Sequence, residues 1–129
     1  MISQQLMVCR QMPSSRKYPQ PGEIWMTDFG PPYPHEPAGR RPAVIVGPIT
    51  SRATNLPFVF AVPLTTRLRN SVCHVKVQPN KENGLSAVSS AQSELVRSIS
   101  RERCVEQMGI IDNESWAAIR ESIKTLFRF

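Results

Sequence analysis

A chain of 129 residues with 40% hydrophobic and 20% charged side chains has the size and composition of one folded domain, which excludes a second core and a chain disordered throughout. Sixteen Lys and Arg against ten Asp and Glu leave a net charge of +6, so a polyanion such as nucleic acid is a natural class of partner. Three cysteines, Cys9, Cys73 and Cys104, lie far apart with no C-x-x-C spacing, which argues against a disulfide framework and a zinc site and suits a reducing, cytoplasmic setting.

Residues 1–20 are polar and unpatterned, with no continuous apolar segment of the kind a secretory signal needs, and read as a flexible tail. The domain is expected over residues 21–129. Glu23 to Phe29 mixes β-forming and polar residues and predicts a first strand. A Gly- and Pro-rich loop follows from Gly30 to Arg41. Pro42-Ala43-Val44-Ile45-Val46 then predicts a central buried strand, with the proline at its first position. A second loop, Pro48 to Pro57, leads to the buried strand Phe58–Val62, which ends at Pro63-Leu64-Thr65-Thr66.

Arg67 to Asn70 is a basic connector, and the alternating His74-Val75-Lys76-Val77 predicts a half-exposed strand. Asn83-Gly84 is a turn signal, and Ser89–Ile99 is read as one further strand. The period then changes. Trp116, Ile119, Ile123, Leu126 and Phe127 lie on one face of a helix that Asp112 or Asn113 can cap. Five or six short strands and one C-terminal helix predict a mainly β, α+β domain: a small, strongly bent barrel with the helix packed on it.

Two segments concentrate chemistry. Pro31 to Pro42 brings His35, Glu36, Gly39, Arg40 and Arg41 into one loop ahead of a buried strand. Pro42 restricts Arg41 to extended backbone, and a guanidinium fork so placed suits phosphate. Thr65-Thr66-Arg67-Leu68-Arg69 sets hydroxyls and guanidiniums at a strand end, where phosphate oxygens can be held. Read from residues alone, both segments are equally compatible with solvated polar loops. His74 reads as structural, and Trp25 as core with base stacking as the lesser alternative. Nucleotide-binding glycine loops, zincin and nucleophile-elbow motifs do not occur, and the acidic residues do not cluster as a two-metal nuclease needs.

Gly22-Glu23-Ile24-Trp25, Asp28-Phe29 and Glu36-Pro37-Ala38-Gly39-Arg40-Arg41-Pro42 with the following apolar strand resemble the opening of the MazF/PemK toxins. Val62-Pro63-Leu64-Thr65-Thr66 and Glu94-Leu95-Val96-Arg97-Ser98-Ile99 resemble that family's later motifs, in order, so that the likeness runs from Pro21 to Phe129. It implies an SH3-like bent barrel of the MazF/PemK/CcdB type. It also implies a homodimer, an acidic antitoxin as partner, and cleavage of single-stranded RNA without metal or cofactor. In that chemistry the RNA's own 2′-hydroxyl attacks, leaving a 2′,3′-cyclic phosphate and a 5′-hydroxyl.

The family's catalytic Arg and Thr carry over to Arg41 and Thr65, and Glu36 matches its acidic core residue and is the candidate base. His35, Gly39, Arg40, Thr66, Arg67 and Arg69 are the expected RNA contacts. Pro34, His35, Pro37 and Leu95 depart from the family pattern, which bears on the sequence that is cut. Two alternatives stand beside the nuclease: a toxin of similar fold that inhibits DNA gyrase, and a nuclease-dead RNA-binding module.

Overall fold

The computed structural model describes residues 18–49 and 56–128; the expected tail therefore lies, up to Lys17, outside the described residues, as does Cys9. Seven strands precede one helix: β1 (Glu23–Asp28), β2 (Arg40–Gly47), β3 (Phe58–Thr65), β4 (His74–Val77), β5 (Ser89–Gln92), β6 (Arg97–Ser100), β7 (Cys104–Ile110) and α1 (Asn113–Phe127). They form one antiparallel sheet in the order β4-β5-β3-β2-β1-β7, with β6 also paired to β3. The outer strands of this order, β4 and β7, do not pair with each other, so the expected barrel is a bent, open sheet.

The sheet is buried on both sides. Ile24, Val44, Val62 and Leu64 face one apolar cluster, which Ile119, Trp116 and Ile123 of α1 cover. Trp25, Ala43, Ile45, Val59 and Ala61 face a second cluster that includes Ile99 and Phe29. Two buried faces explain why β2 and β3 read as unbroken apolar runs and not as alternating ones. Fully burying each of Ile24, Val44, Ile45 and Val62 contributes about 1.5–3 kcal/mol, which makes these three strands the rigid part of the molecule. Trp25 belongs to this core: it is 6% exposed, and its indole N–H donates to Glu23 Oε1 at 2.9 Å.

Four expectations need correction. Pro42 is the third residue of β2, because Arg40 and Arg41 already pair with Asp28 and Thr27 of β1. Ser89–Ile99 is two strands, separated by a 3-10 turn at Ser93–Leu95. That turn lets the chain pair with both ends of β3 on the same edge: β5 opposite Leu64 and Thr65, β6 opposite Phe58 to Ala61. Val62 and Pro63 fall in the gap between those registers, where no strand on that edge requires the N–H that proline lacks. β7 gave no periodic signal, since it is an outer strand whose pairing with β1 shifts register twice. Finally, the helix stripe outruns the core: Leu126 and Phe127 are 41% and 55% exposed.

Asp112 caps α1 by accepting from the Ser115 N–H at 2.9 Å, and this hydrogen bond lowers the pKa of its carboxyl. The connection between β4 and β5 is fixed with unusual economy. Asn83 is fully buried; its Oδ1 accepts from Leu85 N–H at 2.9 Å and Asn80 N–H at 3.1 Å, and its Nδ2 donates to Gln78 O at 2.8 Å. Gly84 then lies so close to β7 that a Cβ would overlap the Met108 carbonyl, and a Cβ on Gly109 would overlap the backbone of Glu82 and Asn83. The Ile110 N–H donates to Glu82 O at 2.7 Å and completes this interlock.

Asn83→Ala leaves buried backbone groups unpaired and is expected to cost about 2–4 kcal/mol, as read by urea denaturation. An unchanged midpoint would show that the connection is not fixed by Asn83. Cys104 is pushed up to about 11, chiefly by burial and partly offset by the Thr27 hydroxyl. The neutral thiol is the form the fold favours. Its contribution to stability is therefore complete below the ordinary thiol range and is lost as pH rises toward about 11. The folded protein at pH 8 is expected to react slowly with iodoacetamide at Cys104, and the unfolded protein quickly. Equal labelling rates in both states would contradict this.

Candidate RNA-cleavage site

β2 is paired in register on both edges, with Thr27↔Arg41 toward β1 and Ala43↔Pro63 toward β3. Carried two residues further, the second register sets Arg41 across from Thr65. Directly opposed residues of an antiparallel pair share a face, so the two side chains are brought together by backbone pairing alone. Both line a cleft of about 380 Å³. Arg40, Pro42, Leu64 and Thr66 line it with them, and its remaining walls are Met26 of β1, Met108 of β7, Leu85, Ser86 and Ala87 of the β4–β5 connection, and Ser89 at the start of β5.

The chemistry of this cleft is one-sided. It contains two guanidiniums and no carboxylate, so an anion enters without a like charge to oppose it. Arg41 spends one donor on the fold, from Nε to Ala38 O at 3.1 Å, which orients the side chain and leaves its terminal nitrogens for a ligand. The Thr65 hydroxyl accepts from the Arg67 N–H at 3.1 Å. With its lone pair so engaged, that hydroxyl keeps its proton to donate.

Of the nine residues singled out in the sequence, Arg40, Arg41, Thr65 and Thr66 meet in the cleft. His35, Glu36, Gly39, Arg67 and Arg69 are not among its lining residues. Glu36 instead lies 3.7 Å from Arg97 of β6, with both side chains about half exposed. Gly39 closes the β1–β2 loop: its N–H donates to Gly30 O at 2.8 Å, its carbonyl accepts from the Phe29 N–H at 2.9 Å, and it adopts φ 68°. His35 also takes a left-handed conformation, at φ 66°, on the exposed part of the loop. Arg67 and Arg69 lie exposed on the connector just past Thr66.

His74 is not among the residues that line the cleft. Its Nε2 is 2.8 Å from Glu94 Oε2, and its side chain is 5% exposed. Glu94 and Arg97 do not pair with each other; their partners are His74 and Glu36. Met26, Leu85, Ser86, Ala87, Ser89 and Met108 had no signal in the sequence: the interlock of the β4–β5 connection with β7 brings Leu85, Ser86, Ala87 and Met108 to the site, Ser89 opens β5, and Met26 arrives opposite Pro42 of β2. No group of three or more His, Cys, Asp or Glu capable of holding a metal occurs among the described residues. No helix among them is long and apolar enough to cross a membrane.

Comparison with known proteins gives the family and the fold. The chain is 29% identical over 107 residues to the endoribonuclease MazF9 of Mycobacterium tuberculosis (strain ATCC 25618 / H37Rv), covering 80% of this chain and 91% of that protein. Its structure is similar to the crystal structure of MazF from Deinococcus radiodurans, with a TM-score of 0.73 at 27% identity, over 88% of this chain and all of that one. It shares its fold with a mycobacterial endoribonuclease solved in complex with its cognate antitoxin, at a TM-score of 0.69 and 20% identity, over 86% of this chain and 96% of that one. The sequence profile of the PemK-like, MazF-like toxins of type II toxin-antitoxin systems matches residues 20–127, and the chain belongs to that family.

Proposed function

We propose that this toxin is an endoribonuclease that cuts single-stranded RNA by attack of the substrate's own 2′-hydroxyl, leaving a 2′,3′-cyclic phosphate and a 5′-hydroxyl. The observation that carries the reading is that Arg41 and Thr65 line one cleft, which holds two guanidiniums and no carboxylate. In-line attack needs the phosphate held and its growing charge stabilised. The free Nη donors of Arg41 reach two nonbridging oxygens, and Thr65 adds a neutral hydrogen bond. Arg40 and Thr66 support the same phosphate, and the exposed Arg67 and Arg69 follow the backbone beyond it.

Glu36 takes a different role from the base it was expected to be. Paired with Arg97 outside the cleft, it anchors the β1–β2 loop, and the 2′-hydroxyl proton leaves through water. His35 and Gly39 shape the loop that RNA passes over. The reaction requires no metal or cofactor. Two further parts of the reading follow from the family: an acidic antitoxin segment competes with RNA for the basic cleft, and two copies of the chain form the active toxin.

Incubation of the purified protein with a long single-stranded RNA in excess EDTA is expected to give discrete cuts with 5′-hydroxyl ends. Arg41→Ala should slow cutting about a hundredfold or more, and Glu36→Gln less than about tenfold. A folded Arg41→Ala variant that cuts normally would sink the mechanism. No cutting by the wild type would return the protein to the non-catalytic readings, RNA binding or gyrase inhibition. Light scattering is expected to give twice the 14.5 kDa chain mass, and a monomer at micromolar concentration would overturn the dimer.

A further inference from the structure

The cleft has two chemically distinct sides. Its cationic side, with Arg40, Arg41, Thr65 and Thr66, serves a phosphate. Its other side consists of Leu85, Ser86, Ala87 and Ser89 with Met26 and Met108, and carries no charge. A phosphate gains nothing from such a wall. A nucleobase does, because a base has an apolar face and a polar edge, and this wall offers apolar surface with a hydroxyl at its rim.

We propose that this uncharged wall seats the one nucleobase adjacent to the cleaved phosphate, and that Ser86 reads that base's edge. This rests on the nuclease reading above and deepens it. Three observations carry it. First, the Ser86 hydroxyl is exposed and makes no hydrogen bond among the described residues, whereas the neighbouring Ser89 hydroxyl is already committed to Ala87 O at 3.1 Å. Ser86 is therefore the wall's available side-chain hydroxyl, able to donate to a base carbonyl or accept from a base N–H.

Second, the wall is rigid although it is a connection between strands. Asn83 holds Leu85 from within, Gly84 is pressed against Met108, and the Ile110 N–H bonds to Glu82 O. A reading group on such a frame discriminates bases, because a wrong base cannot be accommodated by a shift of the loop. Third, wall and phosphate site share one cleft, so a base seated there is joined directly to the phosphate that Arg41 holds.

The test is cleavage of a long RNA of mixed sequence by wild type, Ser86→Ala and Ser86→Phe, with every cut mapped and its rate measured. Ser86 is exposed, so both variants are expected to fold. Ser86→Ala removes one hydrogen bond, and should change relative cutting at a single position beside the scissile bond by about two- to tenfold. Cuts that do not depend on that base should keep their rates. Ser86→Phe fills the wall and should slow all cutting by more than about tenfold, while RNA binding through the arginines persists. If wild type cuts and both variants give its map and its rates, the base seat is wrong and the nuclease reading stands. If wild type does not cut, the nuclease reading fails, and the seat fails with it.

Discussion

The register of β2 is the constraint on which the site depends. Pairing with β1 on one edge and β3 on the other fixes the strand so that Arg41 stands opposite Thr65. A slip of one residue on either edge would turn the guanidinium to the opposite face of the sheet. The same slip would exchange Val44 with Ala43 or Ile45 between the two apolar clusters, whose packing would no longer match, so the clusters protect the register. The energetic weight is unequal. Four fully buried aliphatic side chains, at about 1.5–3 kcal/mol each, outweigh the exposed Glu36–Arg97 pair, whose kind contributes about 0–1 kcal/mol. Burial, not charge, positions the arginine.

β3 is the second organising element. It pairs with β2 along one edge and with both β5 and β6 along the other. A single straight strand cannot serve both ends of that edge, and the 3-10 turn at Ser93–Leu95 turns the chain between them. The sheet bends there, and the β4–β5 connection is carried across to β7, where Glu82 O meets the Ile110 N–H. The cleft is the space left between that crossing connection and the ends of β2 and β3. Its cationic side comes from regular pairing and much of its uncharged wall from an irregular connection.

These two origins explain what the sequence made legible. Apolar runs around Val44–Val46 and Phe58–Val62 announce strands buried on both faces, and the stripe from Trp116 to Ile123 announces the helix. Arg41 and Thr65 were recognisable because each ends or begins such a run, and the family motif marks both. β7 was not recognisable, because an edge strand with two register shifts has no reason to alternate. The break inside Ser89–Ile99 was hidden because the demand for it lies in β3, some thirty residues earlier. Glu36 belonged to the right motif but not to the cleft, since its ion-pair partner, Arg97, is about sixty residues away in the chain. Ser86 had no signal: its place in the cleft wall depends on a contact between Gly84 and Met108 that no local pattern encodes.

That contact separates a frame from what the frame displays. Gly84 and Gly109 tolerate no side chain because backbone occupies the space a Cβ would need. Ser86 and Ala87, immediately after, point outward and meet no such limit. Substitution is thereby channelled: sterics bar a side chain at the interlocking positions and leave room for one at the displayed positions. A side chain at position 86 or 87 can therefore be exchanged without disturbing the interlock that carries it.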